Sequence, residues 1–284
     1  MFANEHSSKL DPVSIQLNSQ HTSQSADYDA AIEKKSNGTT VPLTPEEKTW
    51  IHDHPVVRYG GEKEWPPYDF VDEDGKHTGL SRDMLELIAK YSGLSFQPVV
   101  ANWDELLAKT KAHQIDLLPV LYDPEDRHDY LKFTQPYQTA LTYFFIHDAV
   151  QAKTFDELNN KTLAIPKGYG QIEQIKERFP KLKILETDNL EDAVHAVLER
   201  KADVLYDNYS VISYLLKQYN ISVIRPFKSM PTGETQKLAM AVRTDLPVLL
   251  SIETFAQTAE TPADWSKADF FELAFTLMGG IRLK

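Results

Sequence analysis

The pattern of hydrophobic and polar positions divides most of the chain into short strands that alternate with amphipathic helices. Met84, Leu87, Ile88 and Tyr91 recur at the i, i+3, i+4, i+7 spacing of one helix face, and Gly93 follows as a helix stop. The predicted strands are the apolar runs at residues 56–59, 95–100, 115–121, 141–147, 163–166, 183–186, 204–206 and 237–243. This alternation, with its short connections, predicts an α/β protein with largely parallel sheets.

The alternation falls into two units of similar size. The chain crosses between them near residues 144–150 and again near 229–238. Two crossings predict a hinge, with a cleft between two lobes. A helix start at Thr44, followed by Pro45 and Glu47, marks the beginning of the folded part. The predicted organisation is a flexible leader at 1–42, lobe 1 at 43–145, lobe 2 at 146–235, and a return to lobe 1 at 236–284 with C-terminal helices, one near 266–278.

Composition and charge narrow the possible functions. The chain has 284 residues, of which 42% are hydrophobic and 25% charged, as is typical of a globular protein. Its formal net charge of −12 opposes binding to nucleic acids and to anionic membrane surfaces. It has no cysteine, which excludes disulfides and thiolate chemistry. His52 and His54 form an HxH pair without a third ligand beside it, so neither a metal site nor a cofactor is predicted.

The stretch at residues 115–137 carries the first candidate for ligand chemistry. The predicted strand at 115–121 is ended by Pro124, and the loop that follows carries Arg127. Strand ends followed by loops are where α/β sheets bind ligands, and a planar guanidinium suits a carboxylate or a phosphate. Taken alone, however, an arginine in an acidic loop is more often part of a solvated ion pair.

Four further stretches share their order and spacing with a known family. They are residues 59–68, 102–104, 167–171 and 202–208. Together with Arg127 they resemble the periplasmic solute-binding proteins of the amino-acid-binding type (family 3), and in particular the Venus-flytrap sensor domains of bacterial transmembrane histidine kinases and diguanylate cyclases. The resemblance runs from about residue 43 to about residue 256. It implies a type II periplasmic-binding-protein fold, in which two α/β lobes are joined by a two-strand hinge.

The resemblance also implies roles for charged residues. Arg127 is expected to clamp a ligand carboxylate, and Asp207 to meet a ligand ammonium group. Glu62 lies at a position that often carries an acidic residue near the cationic end of the ligand. Without the resemblance, Asp207 reads as an acidic residue at a helix start, and Glu62 as a solvated surface residue.

Aromatic residues and one loop complete the predicted site. Trp65 and Trp103 are expected to wall the ligand, with Tyr68 packed beneath Trp65. The sequence around Trp65, with Lys63-Glu64 before it and two prolines after it, argues against its full burial. A loop that runs into a helix start is expected to offer backbone N–H groups to the ligand carboxylate, and it consists of Gly168, Tyr169, Gly170 and Gln171.

The sequence departs from the amino-acid-binding pattern at several of these positions. Tyr169 replaces a small hydroxyl residue, and Pro119, Val120 and Tyr122 replace small polar residues before Arg127. These changes remove hydrogen-bonding groups and add bulk. The predicted ligand is therefore an aromatic or apolar carboxylate rather than a standard polar amino acid.

The predicted function is an extracytoplasmic, periplasmic sensor domain that closes on a small carboxylate or amino acid and signals to a membrane-embedded partner. The printed chain opens with polar residues and has no apolar run of about 18 residues, so we expect the signal or membrane anchor outside it. A free solute-binding protein of an ABC transporter would have the same cleft. Two further candidates are a cyclohexadienyl-dehydratase-like lyase, with Glu62 or Asp207 as general acid, and a structural relay that stays closed without ligand. No catalytic residue is assigned.

Overall fold

The computed structural model describes residues 43–230 and 236–260. The predicted leader at 1–42 and the helix predicted near 266–278 lie outside the described residues, as does the middle of the second crossing, 231–235. Within the described ranges, no helix is long and apolar enough to cross a membrane.

Most of the central strands of the described chain are connected by helices, as the hydrophobic pattern predicts, while the short strands follow one another without a helix. The strands are β1 (Val56–Glu62), β2 (Glu64–Trp65), β3 (Asp69–Val71), β4 (His77–Thr78), β5 (Ser95–Ala101), β6 (Leu117–Tyr122), β7 (Leu131–Phe133), β8 (Gln138–Ala140), β9 (Thr142–His147), β10 (Thr162–Pro166), β11 (Lys183–Thr187), β12 (Val204–Asn208), β13 (Ile224–Ser229) and β14 (Gln236–Arg243). The α-helices are α1 (Pro45–Asp53), α2 (Leu80–Ser92), α3 (Trp103–Lys111), α4 (Gln171–Arg178), α5 (Leu190–Leu198), α6 (Tyr209–Gln218) and α7 (Pro247–Glu260).

Each lobe is built on one mixed sheet. In the first, the strand order is β5-β1-β6-β14-β7, with β8 also paired to β14. In the second, it is β11-β10-β12-β9-β13. The strands β1, β5 and β6 are parallel, as are β10, β11 and β12, whereas the crossing strands β9 and β14 run antiparallel to their neighbours. A small third sheet, β2-β3-β4, stands beside the end of β1.

The lobe boundaries follow from sheet membership. All of β9 lies in the second sheet, so the chain leaves the first sheet between Ala140 and Thr142, a few residues before the predicted boundary at 145. The strands β2, β3, β4, β7, β8 and β13 were not predicted, because each is either very short or interrupted by polar residues. The central strands were predicted because parallel strands covered on both faces are continuous apolar runs.

Local signals explain where the helices begin. At α1 the Thr44 hydroxyl accepts a hydrogen bond from Glu47 N at 3.2 Å, while the Glu47 carboxylate accepts one from Thr44 N at 2.8 Å. The predicted capping box is thus confirmed. Asn102 is the N-cap of α3 as predicted, but its side chain makes no capping hydrogen bond.

One hydrophobic cluster connects the two lobes. Trp65, Tyr68 and Val120 of the first lobe belong to the same buried cluster as Phe145 and Leu205 of the second. Because this apolar surface is shared, separating the lobes exposes it to water, and the contact between the lobes is favoured by the hydrophobic effect.

The last described helix carries an acidic residue in an apolar setting. Glu253 in α7 is fully buried, on the same helix face as Leu249, and no group in the described ranges donates a hydrogen bond to either carboxylate oxygen. Burial alone raises the pKa of Glu253 to about 8. The side chain is therefore held mostly in its neutral form at pH 7, which avoids the larger cost of an unpaired buried charge.

We expect Glu253 to make the protein less stable as the pH rises. Because the pKa is higher in the folded than in the unfolded state, the folded state binds more protons between pH 4.5 and about 8. Over this window the free energy of unfolding should fall more steeply in the wild type than in Glu253→Gln, by on the order of 1 kcal/mol per pH unit. Urea denaturation at several pH values measures both slopes. The exposed Glu105→Gln is the control and should match the wild type; equal slopes for wild type and Glu253→Gln would contradict the assignment.

Candidate ligand-binding site between the lobes

The candidate site lies where strands from both sheets end. β1 ends at Glu62, β6 ends at Tyr122, β10 leads into Gly168, and β12 carries Asp207. A cavity at this point has about 30 Å³ open to the centres of water-sized spheres. One water needs roughly 10–15 Å³ of such space, so there is room for only a few. The cavity is lined by Glu62, Trp65, Trp103, Val120, Leu121, Tyr122, Arg127, Tyr169, Gly170 and Gln171.

Arg127 brings a buried positive charge to this cavity. It closes a 3-10 turn, Glu125–Arg127, just after β6, and it is only 4% exposed. Its Nη2 donates to the carbonyl oxygen of Gly168 at 2.8 Å, and its guanidinium carbon lies 5.2 Å from the centre of the Trp103 ring. Burial lowers its pKa, although a guanidinium remains charged at any physiological pH. Within the described residues, no carboxylate forms an ion pair with it.

Glu62 brings a carboxyl group to the same cavity in a setting that disfavours its charge. Burial raises its pKa well above the usual range, and the carboxylates of Asp69, Asp207 and Glu64 raise it further. No described cation is close enough to lower it. The sequence left open whether Glu62 is a solvated surface residue; the structure places it on the cavity wall.

A buried network fixes the backbone beneath Glu62. Its N–H donates to the Asp69 carboxylate at 2.8 Å, and Asp69 in turn lies 2.7 Å from Nε2 of the buried His77 ring. The Tyr59 hydroxyl is 3.0 Å from Nδ1 of the same ring. At Gly61 a Cβ atom would come within 2.5 Å of His77, so only glycine fits between the network and the cavity.

Asp207 lies behind the cavity wall and already has its hydrogen-bond partners. It is 2% exposed and does not line the cavity. Its oxygens accept from the Trp65 indole at 3.1 and 3.3 Å, from the Tyr169 hydroxyl at 2.9 Å and from Asn208 N at 2.5 Å. Burial raises its pKa to about 6, against the lowering effect of these donors. In this conformation the carboxylate thus faces the protein's own donors.

The aromatic residues of the site are more buried than the sequence suggests. Trp65 is 4% exposed, so the expectation against its full burial is wrong. Its ring packs on Tyr68 at a centroid distance of 4.9 Å and against the edge of Tyr122 at 6.0 Å, while its N–H reaches Asp207. Trp103 is 8% exposed and lines the cavity. Tyr68 lies behind Trp65 and does not line the cavity.

The loop before α4 meets Arg127 in an unexpected way. The Gly168 carbonyl oxygen, rather than its N–H, is directed at the site, and it accepts from both Arg127 and Trp103, the latter at 3.1 Å. Gly168 has a φ of +76°, which glycine adopts readily. At Gly170 a Cβ atom would lie 3.0 Å from Pro124 and 3.4 Å from Arg127 Nη2, so the absence of a side chain permits this close approach.

Hydrogen bonds made by the protein itself hold the two lobes together. Trp65, Trp103 and Arg127 of the first lobe each donate to an acceptor of the second, either Asp207 or Gly168. At the rim, the Glu64 carboxylate accepts from the backbone N–H of Glu191, the second residue of α5, at 3.2 Å. The described conformation is therefore a closed one.

The structure brings most of the predicted site residues to one cavity, with three exceptions. Tyr68, Gly168 and Asp207 contact its wall without lining it. Leu121 lines the cavity although sequence reasoning placed it only in a strand; its position at the end of an apolar run before a loop is the signal that could have found it. Among the described residues, no group of three metal-ligating side chains is found.

We expect Trp65→Phe to loosen the contact between the lobes. The substitution keeps a ring in the shared hydrophobic cluster but removes the N–H that reaches Asp207. A hydrogen bond to a charged group contributes about 1.5–3 kcal/mol, so the free energy of unfolding should fall by about that amount. Small-angle scattering should show a larger radius of gyration. Trp50→Phe, on α1 and away from the cleft, is the matched control; an unchanged radius in Trp65→Phe would contradict the prediction.

Residues 57–246 match the family model described as bacterial extracellular solute-binding proteins, family 3. The sensor protein EvgS of Escherichia coli O157:H7 is 28% identical over 224 residues, which are 78% of this chain and 18% of EvgS. A probable histidine-binding protein of Campylobacter jejuni is 26% identical over 154 residues, 53% of this chain and 59% of that protein.

A solved structure has the same fold. The periplasmic VFT2 domain of BvgS from Bordetella pertussis matches with a TM-score of 0.72 and 22% identity, over 83% of this chain and 98% of that domain. This similarity establishes the two-lobed Venus-flytrap architecture. The chain spans less than a fifth of the length of the curated sensor relatives it matches, 18% for EvgS and 17% for BvgS. Because the family model covers more than half of the chain, the protein belongs to the bacterial extracellular solute-binding proteins of family 3.

Proposed function

We propose that this chain is the ligand-binding sensor domain of a longer membrane receptor, that it lies in the periplasm, and that it binds a small carboxylate or amino acid between its lobes. The observation that carries the proposal is Arg127, a nearly fully buried cation on the cavity wall that forms no ion pair within the described ranges. A buried charge without a counter-charge is costly, and a ligand carboxylate would supply one.

The geometry of Arg127 supports carboxylate binding. Only one of its five N–H donors is used by a described acceptor, the Gly168 carbonyl. A carboxylate can therefore approach the remaining donors of the planar fork in a bidentate fashion. The adjacent start of α4 at Gln171 adds backbone N–H groups that have no partner within the helix.

The rest of the cavity suits either a very small ligand or a larger one that enters when the lobes separate. Val120, Leu121, Trp65 and Trp103 give it an apolar wall. Glu62 provides a carboxyl group, which can meet a cationic ligand group when ionised and can donate to a ligand oxygen when protonated. With room for only a few waters in the closed form, a ligand of amino-acid size requires the lobes to separate. Binding is thereby coupled to lobe movement.

The placement of α1 and α7 supports a sensing role. Both helices pack on the first lobe, and the Ser251 hydroxyl of α7 donates to the Glu47 carboxylate of α1 at 2.7 Å. In the sequence the second lobe lies between α1 and α7. Movement of the second lobe relative to these two helices could therefore carry the signal. The similarity to EvgS favours a sensor over a free transport receptor, which would use the same cleft. The proposal assigns no chemical step to the site.

We expect Arg127→Ala to abolish the rise in melting temperature that a cognate carboxylate causes in the wild type. The ligand would lose its bidentate counter-charge, and Arg127→Lys, which keeps the charge but not the fork, should lose more than tenfold in affinity, about 1.4 kcal/mol or more. Thermal shift with a panel of amino acids, aliphatic acids and aromatic acids measures this.

Lys132→Ala is the control, since it removes an exposed cation five residues away. A melting-temperature rise that persists in Arg127→Ala would remove Arg127 from the binding site. If no compound of the panel raises the melting temperature of the wild type, the structural relay that stays closed without ligand is favoured instead.

A further inference from the structure

Tyr169 separates the buried carboxylate of Asp207 from the cavity. Tyr169 and Trp65 both line the cavity, whereas Asp207 does not. Each of the two aromatic residues donates to Asp207, Tyr169 through its hydroxyl at 2.9 Å and Trp65 through its indole N–H at 3.1 Å. The two donors thus lie between the carboxylate and any molecule held in the cavity.

The hydrogen-bonding capacity of Asp207 is filled by the protein. A carboxylate offers about four lone-pair positions. Three donors surround those of Asp207: the Trp65 indole N–H, which is shared between both oxygens, the Tyr169 hydroxyl and Asn208 N. Burial, and then the neighbouring carboxylates of Asp207 and Glu62, raise the pKa of Tyr169 well above its usual range, so its hydroxyl remains a donor at physiological pH. An ammonium group of a ligand finds no free oxygen there.

The Tyr169 ring is held in place by apolar contacts on both sides of the cleft. It packs against the second-lobe cluster that contains Phe144 and Ile172, and also against the first-lobe cluster that contains Trp103 and Leu121. Moving the ring aside would expose apolar surface in both lobes. A ligand cannot reach Asp207 without this additional cost, which adds to the loss of the hydroxyl hydrogen bond.

We propose that Tyr169 is a specificity-determining residue. Its side chain occupies the position in front of Asp207 that a ligand amino group would need, so the Asp207 carboxylate does not contact the ligand. This inference rests on the proposed function, because it concerns ligands held in the same cleft. Discrimination between amine-bearing and amine-free acids is then left to Glu62, the carboxyl group that does line the cavity.

A double-mutant cycle tests the inference with matched probes. Calorimetry would compare L-leucine with 4-methylpentanoate, and L-phenylalanine with 3-phenylpropionate, in the wild type, Tyr169→Ser, Asp207→Asn and the double variant. Tyr169→Ser should raise the affinity for the amino acids at least tenfold relative to their amine-free partners, because it opens a path to Asp207. Asp207→Asn should cancel that gain in the double variant and change the wild-type ratio by less than threefold. Tyr169→Phe, which keeps the ring, should show no gain.

The outcomes separate this inference from the proposed function. The inference is overturned if Tyr169→Ser does not raise the affinity for the amino acids relative to their amine-free partners. It is also overturned if Asp207→Asn alone lowers that affinity ratio tenfold, and this measurement still decides if Tyr169→Ser does not fold. Amine-free acids that bind the wild type through Arg127, with no gain in Tyr169→Ser, would overturn the inference and leave the proposed function standing. A gain in amino-acid affinity in Tyr169→Ser that depends on Asp207 but persists in Arg127→Ala would support the inference and overturn the proposed function.

Discussion

The closed form of this protein depends on one buried guanidinium that is shared between the lobes. Arg127 belongs to the first lobe, lies over the Trp103 ring and donates to the Gly168 carbonyl of the second lobe. The same group is the only cation on the cavity wall within the described residues. Lobe contact and the anion binding that we propose therefore use the same side chain. A ligand carboxylate at Arg127 changes the interaction that connects the lobes, whether it adds to the carbonyl contact or replaces it.

The surroundings of Asp207 and Glu62 give these two carboxyl groups of the site different properties. Asp207 is deeply buried, but donors from Trp65, Tyr169 and the backbone stabilise its charge, and its pKa rises only to about 6. Glu62 lines the cavity, has no such donor in the part of the chain that the structure describes, and lies near other carboxylates, so burial and these charges raise its pKa well above the usual range. Asp207 is a hydrogen-bond acceptor that helps to hold the lobes together. Glu62 is the carboxyl group that we propose for contact with a ligand, as an acceptor when ionised or as a hydrogen-bond donor when protonated.

The sequence predicts the central strands because they are encoded locally as apolar runs, and the proline that ends one of them predicts the loop that carries Arg127. The role of Arg127 as a ligand clamp comes from the family resemblance. It fails where the outcome depends on distant partners. Trp65 is buried because its N–H reaches Asp207, which is 142 residues away in the chain. The Gly168 carbonyl is directed at the cleft because Arg127 and Trp103 approach it from the other lobe. Neither contact leaves a periodic signal. The local sequence predicts a Trp65 that is not fully buried and a loop that offers N–H groups to the ligand, and distant partners change both.

The closed contacts also limit what a ligand can do. Hydrogen bonds between described residues link the lobes, and those that involve a charged group contribute about 1.5–3 kcal/mol each, so they favour closure before the shared hydrophobic cluster is counted. A ligand shifts the equilibrium only by the difference between its affinities for the two forms. A ligand that fits the small cavity adds stability to a state that is already populated, whereas a larger one must offset the loss of these bonds. The size of a ligand therefore decides whether its binding keeps the lobes together or requires them to separate.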